Sequence, residues 1–141
     1  MQCTQIIGFD SAHRIIGHKG KCRMLHGHRY TLEATFESNQ LNELGMVIDF
    51  GIIKQKLNNW LNSNWDHNTI LNIKDQKLGN LISNITGQKI FYLNENPTAE
   101  NMANFLLLEV CPKIFNDEPV RCSKIKLYET PNCYVTTINK V

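Results

Sequence analysis

The chain has 141 residues, with 15 Lys plus Arg against 13 Asp plus Glu and a formal net charge of +2. That length predicts one domain over residues 1–141, and so small a surplus excludes nucleic-acid binding by bulk charge while suiting an anionic small molecule. No apolar run approaches the roughly 20 residues of a membrane span, and Met1-Gln2-Cys3-Thr4-Gln5 lacks the regions of a signal peptide, so a cytoplasmic protein is expected. The five cysteines are odd in number and lack C-x-x-C spacing, which argues for free thiols rather than a disulfide framework or a zinc ribbon.

In chain order, a strand ending at His13 places Ile7, Phe9, Ser11 and His13 on one side. A second strand running forward from His26 places His28, Tyr30, Leu32, Ala34 and Phe36 on one face, and Arg29, Thr31, Glu33, Thr35 and Glu37 on the other. Residues 37–45 are polar and turn-rich. Asp49 is placed to cap a helix over residues 50–63, with Ile53, Leu57, Trp60 and Leu61 at helical spacing. Residues 71–87 form an irregular polar region with a short helix near 78–85, and a short strand follows at 89–93. Thr98 is placed to cap a second main helix, with Glu100 in its first turn, running through Met102, Phe105, Leu106 and Val110 to about Pro112. Two closing strands, 120–130 and 133–138, complete a ββααββ order. This predicts an α+β fold whose antiparallel sheet carries two helices on one face, leaving the other face to pack on copies of the same chain.

The chemistry concentrates in Cys22-Arg23-Met24-Leu25-His26-Gly27-His28. Alternation in an extended segment projects His26 and His28 together, half of a metal site, and His13 is the candidate third nitrogen ligand. Three neutral imidazoles describe an open catalytic zinc site; Cys22 as a fourth ligand would close it. Asp66 and His67 lie at a helix end, where such a dipeptide is ordinary surface chemistry unless a thiol needs a proton-transfer partner. Glu129 shares a face with Ile125 and Leu127, which calls for a donor-rich ligand, a buried cation or a wet strand end.

Six motifs then occur in order: Phe9-Asp10-Ser11-Ala12-His13, Cys22-x-x-x-His26-Gly27-His28, Gly45-Met46-Val47-Ile48-Asp49-Phe50, Asp66-His67, Asn96-Pro97-Thr98-Ala99-Glu100-Asn101 and Tyr128-Glu129-Thr130-Pro131. Together they resemble the 6-pyruvoyl-tetrahydropterin synthase family, and within it the bacterial 6-carboxy-tetrahydropterin synthases of queuosine biosynthesis, for which the C-x-x-x-H-G-H spacing is typical. The resemblance implies a tunnelling fold, with three subunits closing a barrel, two rings stacked as a homohexamer and active sites between subunits. It implies zinc on His13, His26 and His28, Cys22 as catalytic thiol, Asp66 and His67 as proton-transfer partners, and Glu129 anchoring the pterin, with Thr98 and Glu100 as further substrate contacts. The implied reaction converts 7,8-dihydroneopterin triphosphate to 6-carboxy-tetrahydropterin with release of acetaldehyde and triphosphate. The alternatives are the pyruvoyl product without carbon–carbon cleavage, a non-catalytic zinc-dependent pterin binder, or a zinc hydrolase. Lys19 and Lys21 are either triphosphate contacts or solvated loop charges.

Overall fold

The computed structural model describes residues 1–140. Strands β1 (Gln2–His13) and β2 (His26–Glu37) pair antiparallel along their whole length, so that His13 lies directly opposite His26 and Ser11 opposite His28. Their buried faces follow the alternation of the sequence: Ile7, Phe9, Ser11 and His13 on β1, and Tyr30, Leu32, Ala34 and Phe36 on β2. β5 (Arg121–Thr130) joins β2 antiparallel and adds Ile125 and Leu127 to this face, and β6 (Cys133–Ile138) closes the edge.

Helix α1 (Phe50–Asn64) starts where expected, with the Asp49 carboxylate accepting from Gly51 N–H at 2.6 Å, and it buries Ile53, Leu57 and Leu61 on one stripe. Helix α3 (Ala99–Phe105) is capped by Thr98, whose hydroxyl accepts from Asn101 N–H at 3.2 Å. It widens into a π-helical turn at Leu106–Val110 and ends as α4 (Cys111–Ile114). The widening falls just ahead of Pro112, which has no N–H for the carbonyl one turn back.

The sheet is larger than the sequence suggests, and it is mixed rather than wholly antiparallel. Its order is β4-β3-β1-β2-β5-β6, with β3 (Asn68–Asn72) parallel to β1 and β4 (Ile90–Leu93) parallel to β3. The short strand expected at residues 89–93 is β4; β3 escaped notice because four of its five residues are buried on both faces, which erases the alternation that reveals a half-buried strand. The helix expected near 78–85 is α2 (Gln76–Thr86), longer than anticipated, and it stops at Gly87, whose φ of +72° suits a left-handed cap.

Helices α1 and α3 pack on the face that carries the core, α1 against β1 and α3 against β5 and β6. The opposite face presents Ile6, Tyr134 and Ile138, each more than half exposed. Among the described residues no helix is long and apolar enough to cross a membrane. Leu57 is fully buried in the centre of the α1 stripe. Leu57→Ala should destabilise the fold by about 2–5 kcal/mol, read as a lower urea midpoint at unchanged slope.

Candidate metal centre and thiol cavity

The inward ends of β1 and β2 bring three imidazoles together. The ring centroids of His13, His26 and His28 stand 4.7 to 5.1 Å apart, edge to face, and one nitrogen from each lies within 4.8 Å of the others. Which nitrogens face inward is decided by the backbone. His13 Nδ1 lies 2.7 Å from the Pro97 carbonyl, and His26 Nδ1 lies 2.7 Å from the Met24 carbonyl. A carbonyl only accepts, so both δ nitrogens carry the proton and both ε nitrogens keep a free lone pair. Burial is the main reason the His13 imidazolium is disfavoured, its pKa being pushed down to about 4 against the opposing Pro97 contact, with His26 and His28 adding to the decrease. His28 is lowered by burial as well, with Glu129 opposing and His26 reinforcing the shift. Burial thus favours the uncharged form of His13 and His28, the form that binds metal.

Glu129 meets this cluster by alternation on β5, on one face with Ile125 and Leu127, at a point where the pairing with β6 shifts register. Tyr128 pairs with Tyr134 and Thr130 with Cys133, so Glu129 is the extra residue, and its carboxylate spans the pair of rings, 4.0 Å from His13 Nε2 and 4.0 Å from His28 Nε2. It also opens on a cavity of about 430 Å³ that is lined by His13, Cys22, Thr98, Glu100 and Cys133 among others. Cys22 sits on a single 3-10 turn, Lys21–Arg23, in the loop joining β1 to β2, and its side chain is exposed. The structure therefore gathers seven of the nine expected site residues in one neighbourhood: the three histidines, Cys22, Glu129, Thr98 and Glu100.

Asp66 and His67 stand apart from it. Asp66 Oδ2 accepts from His67 Nδ1 at 2.8 Å, and its Oδ1 accepts from Asp10 N–H at 2.9 Å. The pair follows α1 in a turn that holds His67 at φ +58°, an uncommon conformation for a residue with a side chain. His67 is mostly exposed and lines a second cavity of about 380 Å³ with Asp10, Gly27, His28 and Gln88, in which Cys22 has no part. Its pKa is raised, first by the hydrogen bond to Asp66 and then by that group's charge. Burial works to raise the Asp66 pKa, but Asp10 N–H and His67 outweigh it and hold the carboxyl below its usual range.

The 6-pyruvoyl tetrahydropterin synthase family model matches residues 2–139. The chain belongs to that family. Among curated members, it is 53% identical over 135 residues to the 6-carboxy-5,6,7,8-tetrahydropterin synthase of Rickettsia typhi, covering 96% of this chain and 98% of that one. The protein of the same name from Haemophilus influenzae is 33% identical over 133 residues, covering 89% and 90%. Solved structures of the tunnelling fold superpose along the whole chain. An uncharacterized protein from Wolinella succinogenes gives a TM-score of 0.82 at 22% identity, covering 99% of this chain and 98% of that one. The 6-pyruvoyl tetrahydropterin synthase of Plasmodium vivax gives 0.70 at 18% identity, covering 100% and 99%. At those identities the likeness speaks to the fold.

The family suggests a metal, and the residues fit one. His28 Nε2 is fully buried without a hydrogen-bond partner, an orphan that a cation would satisfy. Three supporting groups were not singled out from the sequence: the carbonyls of Pro97 and Met24, and Tyr30, whose buried hydroxyl lies 3.2 Å from His13 Nδ1. Tyr30 did fall on the correct strand face, but a carbonyl carries no sequence signal at all. Because the Asp66 contact raises the His67 pKa, Asp66→Asn should bring it back down toward the ordinary histidine value, measured from the ring-proton shifts in an NMR titration.

Proposed function

We propose that this chain is a zinc-dependent 6-carboxy-5,6,7,8-tetrahydropterin synthase, a lyase of queuosine biosynthesis acting in the cytoplasm as a single-domain subunit of a homohexamer. Its substrates are 7,8-dihydroneopterin triphosphate and water, and its products are 6-carboxy-tetrahydropterin, acetaldehyde and triphosphate. The observation that carries this reading is the cluster of three imidazoles, one of which, His13, opens on a cavity shared with Cys22 and Glu129, in a chain whose relatives at 50–53% identity bear that enzyme's name.

His13, His26 and His28 would hold the zinc ion through three imidazole nitrogens. When bound, the ion supplies Lewis acidity that makes the carbon beside a substrate hydroxyl easier to deprotonate. Glu129 orients the pterin: its two carboxylate oxygens match adjacent N–H groups of the ring edge, a charge-assisted pairing. Thr98 and Glu100 line the same space and add contacts to the ring. Cys22, as thiolate, takes the proton from the side-chain carbon. His67, held by Asp66, returns a proton to the ring.

Within one chain that last pair opens on a different cavity from Cys22. This supports an active site completed between copies, the Asp66–His67 pair of one chain serving the thiol of the next in a dimer of trimers. The exposed sheet face with Ile6, Tyr134 and Ile138 offers apolar surface for such packing.

Incubation with dihydroneopterin triphosphate should yield acetaldehyde and the carboxy product by mass spectrometry, and Cys22→Ala should abolish turnover with its zinc retained. A pyruvoyl product without acetaldehyde would assign the chain to the other branch, and unchanged substrate would leave a pterin binder. His26→Ala should lose zinc by elemental analysis; a full equivalent in that variant would remove His26 from the ligand set.

A further inference from the structure

The loop that carries Cys22 is clamped by a side chain 80 positions further on. Asn96 meets the backbone of Ile16 twice: its Oδ1 accepts from Ile16 N–H at 3.1 Å, and its Nδ2 donates to the Ile16 carbonyl at 2.9 Å. This is the pairing a neighbouring strand would supply, made where β1 has ended. The amide is itself held in place. Asn72, a buried residue, donates from Nδ2 to Asn96 Oδ1 at 3.1 Å, and the Asn96 carbonyl accepts from Thr98 N–H at 2.8 Å and from Asn101 Nδ2 at 2.9 Å.

On the other side, the clamp reaches Cys22 in one step. Ile15, the residue before the clamped one, donates its N–H to the Cys22 carbonyl at 2.9 Å. The residue after Asn96 is Pro97, whose carbonyl orients the His13 ring at 2.7 Å. Two consecutive residues ahead of α3 thus hold the imidazole from the sheet and the loop with the thiol.

We propose that Asn96 is a positioning residue, which fixes the Cys22 loop relative to the histidine cluster so that thiol and substrate carbon meet in register. This deepens the reading above and rests on Cys22 being the catalytic thiol. Ile16 is 40% exposed, so water can satisfy its backbone groups when the amide is removed. The fold should therefore survive the loss of the clamp while the loop samples more conformations, and a small misplacement of a reacting group is costly in rate.

The test is Asn96→Ala in the zinc-loaded full chain. Amide exchange at Ile16 and Ile15 should accelerate about 10-fold or more, with the β1 core amides unchanged. With dihydroneopterin triphosphate, kcat should fall about 10- to 100-fold while KM stays within about threefold and zinc content is full. Unchanged exchange at Ile15, an unchanged kcat, or a kcat that falls only in proportion to lost zinc would overturn the proposal. If the unaltered chain leaves the pterin untouched, the functional reading fails, and exchange at Ile15 alone decides whether Asn96 holds the loop. Should the alanine variant not fold, Asn96→Asp keeps the oxygen that accepts from Ile16 and gives up the donor. The same readouts then apply, with smaller changes in the same direction.

Discussion

The site depends on two backbone carbonyls. An imidazole can present either nitrogen, and three of them side by side could equally well hydrogen-bond to one another or point their lone pairs apart. Pro97 and Met24 remove that freedom by each taking an Nδ1 proton, one from His13 and one from His26, which leaves the ε nitrogens as the only ligand-capable atoms. Burial then disfavours the charged form of His13 and His28, and His28 Nε2 is left without a hydrogen-bond partner, an orphan that a cation would satisfy. These acceptors come from residues with no chemistry of their own, Met24 in the loop before β2 and Pro97 in the turn before α3.

Strand geometry does the remaining alignment. The β1–β2 register sets His13 across from His26 and places His28 two residues along the same face, so the cluster follows from a hairpin and needs no special loop. Alternation on β5 carries the Glu129 side chain to the cluster's edge, beyond Ile125 and Leu127 on the same face. The same cavity then receives Cys22 from a loop that has no regular structure apart from one 3-10 turn, held by hydrogen bonds from outside it.

The remaining expected pair, Asp66 and His67, is well ordered by its own hydrogen bonds yet opens elsewhere. A short ion pair that raises the histidine pKa on an exposed turn has no task visible within one chain. An exposed apolar sheet face and a hydrogen-bonded Asp66–His67 pair set apart from the Cys22 cavity are two features that a neighbouring copy would account for together.

The sequence alone determined the elements whose signals are local. Alternating burial on β1 and β2, the Asp49 and Thr98 caps, the helical stripe of Ile53, Leu57 and Leu61, and the closeness of His26 and His28 all follow from periodicity and short-range hydrogen bonding. The six ordered motifs made the family legible as well. What depends on partners distant in the chain emerges only in the folded molecule: that residues 68–72 form a parallel strand, since a strand covered on both faces shows no alternation; that the β5–β6 pairing shifts register at Glu129, since a bulge is a property of two strands; and that Pro97, Tyr30 and Asn96 support the histidines and the thiol loop, since a carbonyl, a core tyrosine and a turn asparagine look alike in sequence whether or not a functional group lies beside them.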